Sequence, residues 1–266
     1  MERLLNIPPA PIASVRALER KLGVSFALAQ VLVRRGLGEE EAARAWLAAS
    51  ERHDFGAFAG IDAAVDLVLS HVRAGTRVTV HGDYDVDGVC STAILVRVLR
   101  ALGADVDWYL PSRTEDGYGL STATVARLAE RGTRLLLTAD CAITAVDEVA
   151  QARALGLDVV VTDHHSPRAD GSLPDAPTVH PGLCEYPCPD LCAAGVAYKL
   201  AAALLAGAGR DPAGADEDLD LVALATVARA TRSRSSSAPA GSRPAPDSSA
   251  AASLYATPAA HRSAHG

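Results

Sequence analysis

From Arg77 onward the chain alternates short apolar runs with helical stretches, and no other feature constrains its fold as strongly. Strands are expected over Val78 to His81, Val106 to Leu110, Leu135 to Thr138 and Val159 to Thr162. Helices are expected between them, over Cys90 to Leu102, Thr122 to Arg131 and Thr144 to Leu155. Gly103, Gly132 and Gly156 follow these helices, where a C-terminal cap calls for a left-handed residue. Strands and helices in this order predict an α/β domain, a parallel sheet flanked by helices. Ligands of such sheets sit beyond the carboxyl ends of the strands. The acidic residues gather there: Asp83, Asp85 and Asp87 after the first strand, Asp140 after the third, and Asp163-His164-His165 after the fourth.

What flanks this domain has a different character. Residues 1–75 read as a helical N-terminal segment, with helical spacing through Ala27, Val31 and Leu32 up to Gly36, then over Glu39 to Ala49 and Ala63 to Val72. No cluster of His, Asp or Cys points to chemistry there. The sheet domain is expected over 76–228, and 229–266 as a disordered low-complexity tail. That tail opens Arg-Ala-Thr-Arg-Ser-Arg-Ser-Ser-Ser, and Leu254 and Tyr255 are its only large apolar residues. Such a stretch buries too little surface to offset the entropy of ordering it. Its abrupt onset inside an apparent helix suits the out-of-frame translation of a GC-rich gene better than a natural linker.

Composition narrows the chemistry. Half of the chain (49%) is apolar but only 4% is aromatic, so Ala, Val and Leu must form the core. A formal charge of −7 gives no general attraction to nucleic acid, so an anionic substrate needs metal ions or a local basic patch. The first residues, with Pro8 and Pro9, lack a signal peptide's apolar core, and no run reaches membrane-spanning length. A soluble cytoplasmic protein with no membrane partner is expected. Of the five cysteines, Cys184, Cys188 and Cys192 fall at four-residue spacing. Pro187 and Pro189 keep them from sharing a helix face, and they read as reduced thiols rather than a zinc site.

The segment His81-Gly-Asp83-Tyr-Asp85-Val-Asp87-Gly88 places several oxygen ligands and one imidazole on a single strand-to-helix turn. Carboxylates packed this closely repel one another, and a hard divalent ion such as Mg2+ or Mn2+ compensates them. Gly82 and Gly88 permit the sharp backbone. Taken alone, the loop is also compatible with a solvated acidic turn. It opens like a calcium-binding EF-hand, but the twelfth position, which needs Glu, is Ile94, and a strand precedes it. Asp85-Val-Asp87-Gly-Val89 also looks like the nucleophile loop of haloacid dehalogenase-type phosphatases. That family wants a downstream Lys, and the only lysines are Lys21 and Lys199. Asp140 and the Asp163-His164-His165 triplet weigh for a metal-dependent site assembled from three strand ends.

Together these residues resemble the DHH phosphoesterase family, and within it the bacterial single-strand-specific exonucleases. The match runs over most of 25–228. It includes Gly82 to Gly88, Pro111-Ser-Arg113 leading to Asp116-Gly-Tyr-Gly-Leu120, Thr138-Ala-Asp140-Cys, Thr162-Asp-His-His165 and Ala194-Gly-Val-Ala-Tyr-Lys-Leu200. The resemblance implies two Mn2+ or Mg2+ ions held by Asp85, Asp87, Asp140 and His164, with Asp140 bridging. It implies support or further ligation from Asp83 and His81. His165 would contact the scissile phosphate with Asp163 as its catalytic companion, and Arg113 would grip a substrate phosphate. The implied reaction is 5′-to-3′ hydrolysis of single-stranded DNA, with a single-strand-binding protein and a helicase as partners. Two rivals stand beside it: a DHH hydrolase of small phosphodiesters or short oligonucleotides, and an inactive scaffold.

The pattern also breaks. The family's fourth motif ends in Asp, whereas here Ala225-Thr-Val-Ala228 is followed by Arg229, a cation where a metal ligand is implied. Ala142 stands where the family pattern usually has Gly. The family's further domains have no counterpart in the sequence, so impaired activity is expected of this chain.

Overall fold

Helix α1 (Ile12–Leu22) turns Val15 and Leu18 to one side and stops at Gly23, whose φ of 67° makes it a left-handed cap donating to the Glu19 carbonyl. Ser25 then starts α2 (Phe26–Arg34), its hydroxyl accepting from the Leu28 amide. Ala29 and Leu32 of α2 and Ala43 of α3 (Glu40–Ala48) close a small core on Val15 and Leu18. The computed structural model describes residues 9–48, 52–112 and 119–233. These three helices belong to a compact unit ending at Arg52, and a second unit begins at His53.

The second unit is the α/β domain that the alternation predicts. It runs α4 (Ile61–Ala74), β1 (Val78–His81), α5 (Val86–Ala101), β2 (Val106–Tyr109), α6 (Thr122–Glu130), β3 (Leu135–Thr138), α7 (Val146–Ala154), β4 (Asp158–Thr162), β5 (Thr178–Val179), α8 (Ala193–Gly207) and α9 (Leu219–Ser233). The strands are parallel in the order β2-β1-β3-β4-β5. Val78 of β1 lies level with Val106 of β2 and Leu135 of β3. Gly103, Gly132 and Gly156 have φ of 83°, 86° and 79°, the left-handed caps expected after α5, α6 and α7.

One element lies outside the sequence pattern, and another, a helix expected around Lys199, has no readable bounds, both for physical reasons. Strand β5 has two residues, too few for any periodicity, and is defined by pairing Thr178 and Val179 with Val161 and Thr162. Helix α8 is buried on nearly every side, from Ala194 and Val196 to Leu200 and Leu204, so it has no polar stripe to mark its period. Helix α5 begins at Val86, earlier than its apolar pattern, because Asp85 caps it.

Leu136, Val159 and Val161 face α6 and α7, packing with Val125, Leu128, Val149 and Ala152. Contacts on the other side come from α5 to β1 and β2, and from α4 and α8 to β4. Helix α9 continues through Arg229 to Ser233, past the point where the low-complexity tail was expected to begin. The rest of that tail lies outside the described residues. No helix among the described residues is long and apolar enough to cross a membrane.

Candidate metal centre

Strand order reverses between β1 and β3, so the chain leaves these two neighbours to opposite sides and opens a crevice at their carboxyl ends. The loop after β1 packs tightly. A Cβ at Gly82 would lie 1.9 Å from the Thr92 hydroxyl, and one at Gly88 would lie 2.6 Å from the Asp83 carbonyl oxygen. Both glycines are therefore required by space. Asp83 is buried and its Oδ1 accepts from the Tyr84 amide at 2.7 Å. Asp85 caps α5, with Oδ1 accepting from the amides of Asp87 (3.0 Å) and Gly88 (3.1 Å). Asp87 reaches across to the first turn of α8, whose Ala193 amide donates to Oδ2 at 3.0 Å and Ala194 amide to Oδ1 at 2.8 Å. A carboxylate at a helix N-terminus is favoured by the helix dipole.

The loop after β3 is bent into the left-handed region at Asp140 (φ 66°) and Ala142 (φ 84°). Asp tolerates that conformation, while Ala carries a cost of about 1–2 kcal/mol. Asp163, at the end of β4, ties the loops together. Its Oδ2 accepts from the Ile143 amide at 2.9 Å. Its Oδ1 accepts from the amides of His164 (2.7 Å) and His165 (3.1 Å) and from His165 Nδ1 (2.7 Å). Burial alone would push the Asp163 carboxyl up, but its hydrogen bond and charge pairing with His165, together with the amides, bring it below the usual range. The same pair raises the basicity of His165, against the burial of its ring. Asp163 is 1% exposed with both oxygens engaged, so in this geometry it acts by orienting His165 rather than by meeting a substrate.

His164 carries the most informative contact. Its Nδ1 lies 3.1 Å from the Leu191 carbonyl, which can only accept, so the ring proton sits on Nδ1. Burial first, then the positive charge of Arg229, lowers the His164 pKa and keeps the ring neutral. Its Nε2 is thus a bare lone pair, 3.2 Å from Asp140 Oδ1 and 3.6 Å from Asp87 Oδ2. Asp140 Oδ1 is itself buried without a hydrogen-bond partner. With the carboxyl ionised the two would be acceptors in contact, so without a cation the carboxyl keeps its proton, and a cation between them takes that proton's place. Burial, followed by the charge of Asp87, pushes the Asp140 carboxyl far above the usual range.

Potential ligand atoms of Asp83, Asp85 and Asp140 lie within 4.8 Å of one another, as do those of Asp140, His164 and His165. Asp140 belongs to both groups. One group is all oxygen and the other mixes oxygen with imidazole nitrogen, donors suited to Mg2+ or Mn2+. Asp87 and His81 fall outside these groups, although Asp87 borders the second. His81 is buried at the end of β1, with Nδ1 3.5 Å from Cys141 Sγ and its ring 5.5 Å from that of Tyr109. Arg113 lies outside the described residues.

The sequence reading missed the backbone partners: the Leu191 carbonyl and the Ala193 and Ala194 amides. Helix α8 lacks the usual Ser, Thr, Asp or Asn cap, and Cys192 Sγ takes that place, accepting from the Gly195 amide at 3.4 Å. The calcium-loop reading fails structurally: β1 precedes the loop, and Ile94 is fully buried within α5. Lys199, considered for a phosphatase, donates instead to the His53 carbonyl at 2.6 Å.

A crevice of carboxylates and imidazoles at the ends of β1, β3 and β4 defines a metal-dependent phosphoesterase class. The DHH family's N-terminal domain model matches residues 77–226, more than half of the chain, and the chain belongs to that family. It is 39% identical over 217 residues to the single-stranded-DNA-specific exonuclease RecJ of Bacillus subtilis (strain 168), covering 80% of this chain and 27% of that protein. It is similar to a crystal structure of exonuclease RecJ bound to manganese (42% identity, TM-score 0.58, 65% of this chain and 43% of the other). It is also similar to RecJ in complex with Mn2+ from Thermus thermophilus (35% identity, TM-score 0.62, 85% and 32%). The chain spans about a quarter to a third of the length of the curated relatives it matches.

Proposed function

We propose that this chain is the metal-binding portion of a 5′-to-3′ exonuclease acting on single-stranded DNA, with two Mn2+ or Mg2+ ions sharing Asp140. The observation that carries the metal reading is the convergence of Asp140 Oδ1 and the bare His164 Nε2, 3.2 Å apart in a buried crevice. The substrate class rests on similarity to the single-stranded-DNA-specific exonucleases. Asp83, Asp85 and Asp140 would hold one ion, and Asp140 and His164 the other, with Asp87 at its border. When bound, the ions supply Lewis-acid stabilisation of charge on a phosphodiester and make water nucleophilic near neutral pH. His165 would donate through Nε2 to a phosphoryl oxygen, held in that orientation by Asp163 at its Nδ1. Its side chain is 45% exposed, the open member of the cluster.

Arg229 works against this centre. Its charge disfavours protonation of both His164 and His165, which places it within electrostatic reach of both groups, and the same field opposes divalent cations. We therefore assign the chain weak metal affinity and slow turnover.

The test has two parts. Calorimetric titration with Mn2+ should show saturable binding that Asp140→Ala abolishes; no binding to the chain or to Arg229→Asp sinks the metal reading. With Mn2+, a 5′-labelled single-stranded 20-mer should release labelled mononucleotide faster than a dinucleotide is split. The opposite preference favours a small-phosphodiester hydrolase.

A further inference from the structure

Two side chains of the centre arrive from different strands, His164 after β4 and Asp87 after β1, yet one short segment holds both. The Leu191 carbonyl takes the His164 Nδ1 proton at 3.1 Å. Two and three residues later, the amides of Ala193 and Ala194 grip the Asp87 oxygens at 3.0 and 2.8 Å. Between them Cys192 caps α8 and touches the Thr226 hydroxyl of α9 at 3.3 Å. The path of residues 191–194 therefore sets which nitrogen of His164 is bare and where Asp87 points.

Gly195 controls that path. A Cβ at this position would lie 2.5 Å from Leu191 Cδ1 and 2.7 Å from its Cγ, well inside contact distance. Leu191 is 4% exposed, so its side chain has no solvent to retreat into. The clash extends inward to Cγ, so its relief presses toward the main chain, which carries the carbonyl that orients His164. Gly195 does not occupy the left-handed region, so space rather than backbone freedom demands glycine here. Glycine also weakens the first turn of a helix relative to alanine, so local propensity runs against its presence.

We infer that Gly195 is a positioning residue for the metal centre: by leaving room for Leu191 it fixes the carbonyl that holds His164 in its Nδ1–H form. The inference rests on the proposed metal site for its effect on affinity, but the ring tautomer can be read without any ion. Nitrogen NMR of the metal-free chain should show His164 as the Nδ1–H tautomer. In Gly195→Ala that form should give way to a mixture, and Mn2+ affinity by calorimetry should fall roughly 10-fold or more, the usual effect of losing an orienting partner. Leu191→Ala keeps the carbonyl and empties the space that the added methyl needs. Combined with Gly195→Ala it should restore both tautomer and affinity.

A purely structural glycine would not produce that pattern. If Gly195→Ala keeps the parent tautomer and affinity, or if the folded pair fails to regain them, the inference is overturned. Should Gly195→Ala alone not fold, the double variant decides: the parent's tautomer and affinity in the folded pair support the inference, and their absence, or a pair that does not fold, overturns it. If the tautomer responds as described but the parent chain binds no Mn2+, the positioning role is supported and the metal reading is the part that fails.

Discussion

Replacing Asp140 with Asn should make the metal-free protein more stable while removing its response to Mn2+. Asp140 is 1% exposed, and burial, then the charge of Asp87, push its pKa up from 3.8 to about 9. A folded pKa above the unfolded one means the unfolded chain gives up its proton first. From pH 3.8 upward, each pH unit then costs the fold about 1.4 kcal/mol, until the folded group also ionises near pH 9. At pH 7 the cost accumulates to about 4 kcal/mol if Asp140 carries it alone. The charges of Asp87, His165 and Asp85 all act on this group, so a gain of about 2–4 kcal/mol is expected from Asp140→Asn. Asn tolerates the left-handed backbone at φ 66°, and its amide can donate to His164 Nε2, 3.2 Å from the oxygen it replaces. Urea unfolding in EDTA between pH 5 and 8 should show the variant more stable and the pH dependence flatter by about one proton. Mn2+ at a hundred times its Kd should add about 2.7 kcal/mol to the parent and nothing to the variant. A variant no more stable than the parent throughout that pH range in EDTA refutes the reasoning.

The other predictions concern its neighbours. Asp163→Asn removes the charge held at His165 Nδ1, 2.7 Å away, so the His165 pKa should fall and Mn2+-dependent hydrolysis should drop about 10- to 100-fold; an NMR titration showing His165 unmoved counts against it. Arg229→Asp removes a charge that disfavours cations at the site and should tighten Mn2+ binding about 10-fold by calorimetry, against an unchanged affinity if Arg229 is a bystander. Gly82→Ala drives a methyl to within 1.9 Å of the Thr92 hydroxyl and 2.8 Å of Leu110 Cδ2, and should cost about 1–3 kcal/mol in thermal unfolding; an unshifted Tm means the loop can repack.

Legibility in the sequence followed the range of the interactions. Val78 to His81 and Leu135 to Thr138 were readable because buried parallel strands are short unbroken apolar runs, and Gly103 or Gly132 because a left-handed cap is a local demand. Asp83, Asp85, Asp140, His164 and His165 were readable as a constellation because strand ends in a parallel sheet share one edge. Their individual duties were less so. Asp85 and Asp87 are chemically identical two residues apart, yet one caps its own helix and the other anchors the N-terminus of a helix more than a hundred residues later. The partners that distinguish them are main-chain atoms, which every residue possesses, so no side-chain pattern announces them. The bounds of helix α8, expected around Lys199, were hidden for the opposite reason, since it is buried on nearly every side.

The costs of this architecture are concentrated between β3 and α7. Ala142 adopts a left-handed φ of 84° without glycine's freedom, Asp140 keeps an unsatisfied buried oxygen, and several carboxylates crowd the same crevice. Nothing in the α6–α7 core, with Val125, Leu136, Val149 and Val161 in ordinary apolar contact, needs such an arrangement. Strain and like charge meeting in a few residues, while the surrounding sheet is conventionally packed, is what a cation-binding loop requires: its ligands must converge before the ion arrives. On that logic Ala142 adds strain that contributes no ligand, whereas the strained backbone at Asp140 serves to place its carboxylate in both ligand groups. The two left-handed residues, two positions apart, therefore differ in kind.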